Sequence, residues 1–411
     1  MCMTIQSIPA GGALAAEAAA SAAEAAASVE PGLRALVVAG IAAAHAEAVD
    51  RDARYPAEAM AAAKQQRLLG LTVPRELGGE GASLAAAADV CYALGRACAS
   101  TAMIYAMHLT KVACIVDHGR GQPWQEGLLR RLCAEQLLLA SSTTEGQGGG
   151  NVRSSAAAIE RDGDAVTLDR AATVISYGAE ADGIVTTARR APDAAASDQV
   201  LAVFLKEDYT LERLSGWETL GMRGTSSIGF RLRARGGADQ ILAVPYARIH
   251  AESMTPVSHI LWSSAWAGIA AGAVERAQAF TRQAARGAGG QMPPGAAHYG
   301  RAAASLRSLR ALITEGIARY AAAGEAGSLG SLDFQTAITM LKVDTSELAL
   351  AAVSSAMRAC GLAGYRQDGP FSIGRALRDI LSAPIMIHND RITANLAATA
   401  LLSTVPASLR D

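Results

Sequence analysis

The sequence of 411 residues is poor in aromatic side chains and carries almost no net charge. Aromatic residues make up 4 % of the chain, and 37 Lys and Arg residues face 38 Asp and Glu residues, for a formal net charge of −1. A protein that binds nucleic acid or a membrane surface usually carries an excess of positive charge. We therefore expect neither nucleic acid nor a membrane among the partners.

Cysteine is scarce and follows no metal-binding pattern. The six cysteines are Cys2, Cys91, Cys98, Cys114, Cys133 and Cys360, and none forms a CxxC pair. Zinc sites and disulfide frameworks show closer and more regular spacing. The sequence therefore predicts no metal site, no disulfide framework and a reducing, cytoplasmic location.

Targeting and membrane-spanning patterns are also missing. We find no apolar run that reaches the length of a membrane span. The Ala-rich start, residues 11–28, contains Glu17 and Glu24 and has no basic region before it, so it is a poor secretory signal. We expect residues 1–28 to form a weakly packed, helix-like tail.

The apolar residues that are present change their period twice along the chain. Residues 29–138 and 251–411 repeat apolar positions at helical spacing, whereas residues 139–250 contain short alternating or apolar segments typical of strands. This order predicts an α+β fold of three parts. They are an N-terminal helical domain (29–138), a central and mostly antiparallel β domain (139–250), and a C-terminal helical bundle (251–411).

The central domain begins with a glycine-rich loop. Thr143, Thr144 and Glu145 precede glycines at positions 146, 148, 149 and 150. Glycine-dense backbone after a strand lets main-chain N–H groups approach an anionic ligand. The loop lacks the GxxxxGK[ST] phosphate-binding pattern, so a flexible surface loop is an open alternative. Segments 156–161 and 165–169 follow as a predicted hairpin, and a third extended segment covers 172–176.

The helix predicted over residues 101–116 carries a single histidine, His108. A lone histidine on an apolar helix face is more often a hydrogen-bonded core residue than a metal ligand. We therefore expect a structural role for His108.

A series of motifs, in this order, resembles the acyl-CoA dehydrogenase superfamily of flavoproteins. They are Tyr55-Pro56, Gly70-Leu71-Thr72-Val73-Pro74, Gly78-Gly79-Glu80-Gly81, Thr144-Glu145 with the glycine loop, Ile175-Ser176-Tyr177-Gly178, Leu220-Gly221-Met222-Arg223-Gly224-Thr225, Gly361-Leu362-Ala363-Gly364-Tyr365 and Arg378-Asp379. The resemblance covers nearly everything after the tail. It implies that the central domain is a β-barrel or sandwich and that the C-terminal domain is a four-helix bundle.

The resemblance also implies a cofactor and an assembly. FAD would lie between the β domain and the C-terminal bundle and would be completed by a second subunit. A homotetramer is the usual assembly, and a homodimer is the alternative. Ser176 would place its hydroxyl near flavin N5, which makes it a candidate catalytic residue. The residues implied to bind FAD are Thr143, Thr144, Gly149, Gly150, Asn151, Val174, Ser176, Gly361, Gly364, Asn389 and Arg391.

The catalytic glutamate of the family is not found at either of its two usual positions. One position corresponds to Ile387, after Met386, and the other to Ala265, before Trp266. We expect these four side chains to line the substrate pocket. A catalytic base contributes about a hundred- to ten-thousand-fold to a reaction rate, so dehydrogenation would be impaired. An apolar pocket that excludes water suits oxygen chemistry instead.

His388 is the titratable side chain next to the missing base. It is a candidate catalytic acid or base, or it faces the cofactor phosphates or a subunit interface. The leading hypothesis is an FAD-dependent monooxygenase or dioxygenase of secondary metabolism. It would act on an acyl-CoA or carrier-bound thioester with O₂, and a flavin reductase is a candidate partner.

Within the superfamily, the sequence resembles the oxygenase branch that includes CoA-ester oxygenases of tropone and tropolone biosynthesis. Two alternatives are open. One is an acyl-CoA or acyl-carrier dehydrogenase with a base at another position. The other is a non-catalytic protein that binds flavin or an acyl thioester.

Overall fold

The computed structural model describes residues 29–145, 152–402, 405 and 407–408. The Ala-rich tail and the glycine loop lie outside these ranges. The predictions for Gly149, Gly150 and Asn151 therefore remain predictions.

Five α-helices form the described N-terminal part. They are α1 (Pro31–Arg51), α2 (Ala57–Gln65), α3 (Leu84–Ala97), α4 (Ala99–His118) and α5 (Pro123–Glu135), with a 3₁₀ turn at Arg75–Leu77. Proline occupies the first turn of α1 and α5, where its missing N–H costs no helical hydrogen bond. The Ser83 side chain caps α3 by accepting a hydrogen bond from the Ala86 N–H.

Seven strands of the described chain form two sheets. The strands are β1 (Leu139–Ser142), β2 (Glu160–Asp162), β3 (Ala165–Ile175), β4 (Gly183–Arg189), β5 (Gln199–Leu205), β6 (Tyr209–Arg213) and β7 (Ile228–Gly237). One sheet has the order β1-β4-β5, with β1 parallel to β4 and β4 antiparallel to β5. The other has the order β2-β3-β7-β6 and is antiparallel throughout. Short 3₁₀ turns occur at Lys206–Asp208, Arg223–Thr225 and Ala238–Gln240.

The predicted hairpin is present, and the strand after it is longer than expected. Asp162 pairs with Ala165 across a two-residue turn, in which Gly163 has a φ of +58°. Strand β3 then continues to Ile175 through an irregularity between Ala172 and Ile175. Arg170 is a charged residue at a buried position of β3, so it breaks the apolar alternation in the sequence, which is why the sequence indicated two separate segments.

Helices return in the C-terminal part. They are α6 (Tyr246–Ile249), α7 (Thr255–Gly287), α8 (Ala296–Glu325), α9 (Leu332–Cys360), α10 (Leu362–Tyr365), α11 (Gly374–Ile380), α12 (Ser382–Ile385) and α13 (Asn389–Ala400), with a π-helical turn at His250–Met254. The long helices α7, α8 and α9 pack on one another, and α13 packs on α9. The three-part architecture predicted from the sequence is therefore confirmed.

Glycines bring the N-terminal helices directly onto the C-terminal bundle. Helix α3 crosses α7 so closely that a Cβ added at Gly95 would lie 2.3 Å from the Ala265 carbonyl oxygen. A Cβ at Gly268 would lie 2.3 Å from the Tyr92 carbonyl oxygen. The two helix backbones are thus in contact, and they fix the relative position of the two helical parts.

The expectation about membrane-length segments was wrong. By length and composition alone, three helices could cross a membrane: Pro31–Arg51, Ala99–His118 and Tyr246–Gly287. The apolar windows of the second and third are 89 % and 94 % buried within the protein, and that of the first is 33 % buried. The apolar composition of α4 and α7 therefore reflects packing in the core.

His108 has the structural role expected from its position. Its Nδ1 accepts a hydrogen bond from the Leu139 N–H at 3.0 Å, so Nε2 carries the proton and donates to the Leu69 carbonyl at 2.9 Å. Burial lowers the pKa of this imidazole to about 4, which keeps it neutral. The five cysteines in the described residues are free and buried, and these residues contain no cluster of His, Cys, Asp and Glu suited to a metal ion.

Candidate functional site

The β-domain side of the site is a chain of three hydroxyl groups at the end of β3. Ser176 Oγ lies 2.8 Å from Ser227 Oγ, which lies 2.8 Å from Thr225 Oγ1. Thr225 donates its own proton to the Met222 carbonyl at 2.9 Å. Ser227 must then donate to Thr225, and Ser176 to Ser227. Ser176 therefore has its lone pairs available, and it can accept a hydrogen bond from a ligand.

Tyr177 anchors the same segment in the core. It has a φ of +44°, and its buried hydroxyl donates to the Leu139 carbonyl at 3.0 Å. A non-glycine residue in the left-handed region needs support from its surroundings. The preceding residue, Ser176, is half-buried, so its hydroxyl is held at the edge of the β domain.

Thr143 and Thr144 follow β1 and are both half-buried. The next residue, Glu145, pairs with Ala172 of β3 in an isolated antiparallel bridge. The Glu145 carboxylate accepts hydrogen bonds from the N–H groups of Ala156 and Ala157 at 2.6 and 3.1 Å. These bonds and the bridge fix Glu145 between β3 and residues 156–157.

Buried polar atoms without partners lie beside this segment. The Oγ of Ser142, and Nε and Nη2 of Arg170, have no hydrogen-bond partner in the part of the chain that the structure describes. Burial lowers the pKa of the Arg170 guanidinium, while the Glu145 carboxylate opposes that effect. Unpaired buried donors are rare in folded proteins; here they lie in the interior of the β domain, since both residues are fully buried.

A cleft of about 800 Å³ runs along the exposed face of β3, the face opposite to Arg170. Its lining includes Glu145, Ala172, Thr173, Ser215 and Gly229. Thr173 directly precedes Val174, which is half-buried. Two residues that line this cleft, Glu145 and Thr173, are thus next in sequence to Thr144 and Val174.

The C-terminal side of the site is organised by Lys342, which the sequence analysis missed. Its ammonium is buried and donates hydrogen bonds to the Ala383 carbonyl at 3.0 Å, the Met386 carbonyl at 2.6 Å and Asn389 Oδ1 at 2.6 Å. It also lies 5.6 Å from the centre of the Trp266 ring. Burial lowers the pKa of Lys342 to about 8. The sequence contained one signal that could have identified Lys342: it is the single lysine of α9, a largely apolar helix.

Asn389 extends this network from α13 back to α9. Its Nδ2 donates to Ser346 Oγ at 2.9 Å and to Glu347 Oε1 at 3.0 Å. The predicted residues Trp266, Met386 and Asn389 are therefore brought together around Lys342. Both the oxygen and the nitrogen of the Asn389 amide are therefore already hydrogen-bonded within the protein.

The missing-base position lies in a strained turn between α12 and α13. Ile387 has a φ of +53° and His388 a φ of +59°. Two consecutive left-handed residues are unusual, and a β-branched side chain makes this conformation costly. Such strain is concentrated at functional sites. The His388 side chain is exposed, and Arg391 donates to the Ile387 carbonyl at 3.3 Å.

Ala265 is separated from this turn. It is fully buried in α7, and its carbonyl oxygen faces Gly95 of α3. Trp266, the next residue, faces Lys342 of α9. The described contacts therefore connect Trp266, but not Ala265, to the Met386–Asn389 turn.

Gly361 and Gly364 form a turn at the end of α9. Gly361 ends the helix with a φ of +54°, and a Cβ at Gly364 would lie 2.6 Å from the Cβ of Cys360. Leu362 takes the place of the family's second glycine and is 73 % exposed. The Leu362 side chain therefore lies in solvent and needs no space within the packed turn.

Asp379 connects the two sides of the site. Its Oδ1 accepts a hydrogen bond from the Met222 N–H at 2.7 Å, and burial raises its pKa to about 6. A Cβ at Gly221 would lie 2.1 Å from the Arg378 carbonyl oxygen. Arg378 also pairs with Asp50 of α1. The turn at Gly221–Thr225, whose Thr225 hydroxyl belongs to the chain that ends at Ser176, is thus bonded to the Arg378–Asp379 segment that precedes Ile387.

Known proteins share both the sequence pattern and this architecture. Residues 23–136 match the acyl-CoA dehydrogenase N-terminal domain, and residues 251–402 match the acyl-CoA dehydrogenase C-terminal domain. The chain is 25 % identical over 372 residues to the probable acyl-CoA dehydrogenase fadE25 of Mycobacterium leprae, covering 88 % of this chain and 91 % of the relative. It is 29 % identical over 365 residues to an L-evernosamine nitrososynthase of Micromonospora sp., covering 83 % and 82 %.

A solved structure shows the same fold at lower identity. The dibenzothiophene monooxygenase TdsC of Paenibacillus sp. A11-2, crystallised with FMN, superimposes with a TM-score of 0.78 and 20 % identity. The match covers 92 % of this chain and 98 % of that chain. At this identity the likeness is one of fold.

Proposed function

This chain belongs to the acyl-CoA dehydrogenase family, and from that premise we propose that it is an FAD-dependent oxygenase. Its substrate would be an acyl-CoA or a carrier-bound acyl thioester of secondary metabolism, with O₂ as the oxidant. The coarser assignment, a flavin-using oxidoreductase of this family, is supported by the family match and by the flavin-bound relative. A homotetramer or homodimer, a flavin reductase as partner and a cytoplasmic location belong to the proposal.

The observation that carries the proposal is the absence of the family's base at both of its positions. Ile387 occupies one of them, and Ala265, buried against α3, occupies the other. Removing the α-proton of a thioester requires a group within hydrogen-bond reach of that carbon. Neither side chain can accept a proton.

The residues at the end of the β domain fit a flavin. Thr144 and Ser176 would hold its polar groups, and Gly361 and Gly364 would approach its phosphates. When bound, the flavin supplies hydride transfer and oxygen activation. Ser176 presents a lone pair, because its proton is donated to Ser227. An acceptor at this place suits the reduced flavin, whose N5 carries a proton.

The other residues of the turn would shape the substrate side. Met386, Ile387 and Trp266 would exclude water from the reacting atoms, and Lys342 would hold the turn in position through the Met386 carbonyl. His388 is exposed at the start of α13, where it could exchange a proton with solvent. Two relatives support the use of oxygen on this fold, since one is named a nitrososynthase and the other a monooxygenase.

A second candidate function is thioester dehydrogenation with a different base. Glu347 favours this alternative because its carboxylate lies 3.0 Å from Asn389 Nδ2, two residues from Ile387. The fadE25 relative, named a probable acyl-CoA dehydrogenase, supports it as well. A non-catalytic protein that binds flavin or a thioester is the third candidate.

A pair of substitutions at the missing-base position tests the proposal. We expect saturated acyl-CoA thioesters to leave the oxidised flavin of the wild-type protein unbleached under anaerobic conditions. Ile387→Glu should create anaerobic bleaching with formation of enoyl-CoA, whereas Ile387→Gln, of similar size but without a base, should not. Bleaching of the wild type that is lost in Glu347→Gln would refute the oxygenase and establish the second candidate.

A further inference from the structure

A second, positively charged cleft lies on another face of the protein. It has a volume of about 680 Å³ and is bounded by α1, the end of α3, α7 and residues 367–379. We call it the arginine cleft. Its charged lining residues are Arg51, Arg96, Arg223, Arg276, Arg375, Arg378, Glu47, Asp50 and Asp379. None of the residues that line the cleft of the β domain takes part in it.

Half of these arginines are neutralised by carboxylates. Arg51 pairs with Asp52, and Arg96 with Glu275, at 2.8 Å in each case. The third pair joins Arg378 to Asp50. These three side chains therefore contribute little net attraction for an anion.

The other three arginines bond to backbone carbonyls within the described chain. Arg223 donates to the Asp50 and Thr219 carbonyls and is held by them. Arg276 has one such bond, to the Gly272 carbonyl at 3.3 Å, and Arg375 has one, to the Ala97 carbonyl at 3.3 Å. A guanidinium has five N–H donors. Arg276 and Arg375 thus retain donors that these contacts do not use.

The two cations also repel each other. Arg276 is half-buried, and its pKa is lowered first by burial and next by the charge of Arg375. An anion placed between them would offset both effects. Helix α4 adds to the positive potential, because it begins at Ala99 in the cleft wall without a side-chain cap.

We propose that the arginine cleft binds the phosphate group of a small molecule, with Arg276 and Arg375 contacting its oxygens. A phosphate carries more charge than a carboxylate and offers oxygens in several directions, which suits two separate guanidinium groups. The volume of the cleft accommodates more than the phosphate itself, in the range of ligand pockets generally. The phosphate could belong to coenzyme A or to a free nucleotide. This inference does not depend on the oxygenase proposal, because it concerns binding and a different cleft.

Calorimetric titration of the full-length, flavin-loaded protein tests this binding site. The probes are inorganic diphosphate, ADP, coenzyme A and dephospho-coenzyme A, in a buffer without phosphate or sulfate. We expect saturable binding of inorganic diphosphate by the wild type. Hydrogen bonds to charged groups correspond to roughly a tenfold or greater loss of affinity when one partner is removed. Arg276→Gln and Arg375→Gln should each weaken binding by about tenfold or more.

Two further variants separate specific contacts from general attraction. Arg51→Gln removes a charge from the same cleft but one already paired with Asp52, so it should leave the affinity nearly unchanged. Arg375→Lys keeps the charge but loses the forked geometry, so it should weaken binding. Thermal unfolding curves of all variants establish that each is folded.

The measured affinities either overturn the proposal or identify the source of the phosphate. Equal affinities for diphosphate in the wild type and in the Arg276→Gln/Arg375→Gln double variant would overturn the proposal, as would an Arg51→Gln variant that binds as weakly as the double variant. Among supporting outcomes, a loss of affinity from coenzyme A to dephospho-coenzyme A that is absent in the double variant identifies the coenzyme's 3′-phosphate. Tighter binding of ADP than of diphosphate, with equal affinities for coenzyme A and dephospho-coenzyme A, identifies a free nucleotide.

Discussion

Replacing Lys342 with methionine should change how the stability of this protein depends on pH. The Lys342 ammonium is fully buried and bonded to three oxygens, and burial lowers its pKa from 10.5 to about 8. The difference, 10.5 minus about 8, corresponds to about 3 kcal/mol at 1.36 kcal/mol per pH unit. This is the amount by which folding disfavours the charged lysine relative to the neutral one.

The sign of the effect follows from proton binding. Between about pH 8 and pH 10.5 the unfolded chain holds the Lys342 proton more than the folded chain does, so Lys342 makes the free energy of unfolding rise with pH. Other groups titrate in this range, so the informative quantity is the difference between wild type and Lys342→Met. From below pH 8 to above pH 10.5 this difference should shift by about 3 kcal/mol in favour of the wild type.

Urea unfolding at a series of pH values measures this difference. Lys206→Met, which removes an exposed lysine, controls for the change in net charge. Parallel stability curves for the wild type and Lys342→Met would show that burial does not lower the pKa of Lys342.

Two further substitutions test how the halves of the site are joined. Gly268→Ala should destabilise the protein by about 2 kcal/mol or more, because the new Cβ would lie 2.3 Å from the Tyr92 carbonyl. A Cβ added at Gly127 in α5 would meet no atom within 4 Å, so Gly127→Ala should stabilise the protein by up to about 1 kcal/mol. Denaturant unfolding of the two variants measures these changes in the free energy of unfolding. Equal effects of the two substitutions would contradict the close crossing of α3 and α7. Asp379 has its pKa raised from 3.8 to about 6 by burial, so its contribution to stability should fall as pH rises through that window. Asp379→Asn keeps an acceptor for the Met222 N–H and should remove this component; an unchanged pH profile would show that the Asp379 carboxyl does not titrate as a buried group.

The architecture could be predicted from the sequence because periodicity is a local property. Helical spacing, then strand alternation, then helical spacing again predicted the three parts. The same local pattern failed where tertiary packing altered it. The buried charge of Arg170 made one strand resemble two in the sequence, and burial inside the protein gave α4 and α7 a composition that also suits a membrane.

The candidate site was predicted only in part, because its contacts join distant segments. The motifs identified Ser176 and the Met386–Asn389 turn. They could not identify Lys342, whose three acceptors lie 41, 44 and 47 residues further along the chain. The arginine cleft has the same origin, since Arg276 and Arg375 come from α7 and α11 and no spacing in the sequence relates them.

The most direct test of the proposed function is the source of oxygen in the product. Anaerobically reduced, flavin-loaded protein is mixed with ¹⁸O₂ in the presence of an acyl-CoA thioester, and the product mass is measured. We expect ¹⁸O in the thioester product and no 2-enoyl-CoA. Formation of 2-enoyl-CoA without ¹⁸O, together with anaerobic reduction of the flavin by the saturated thioester, would contradict the oxygenase proposal.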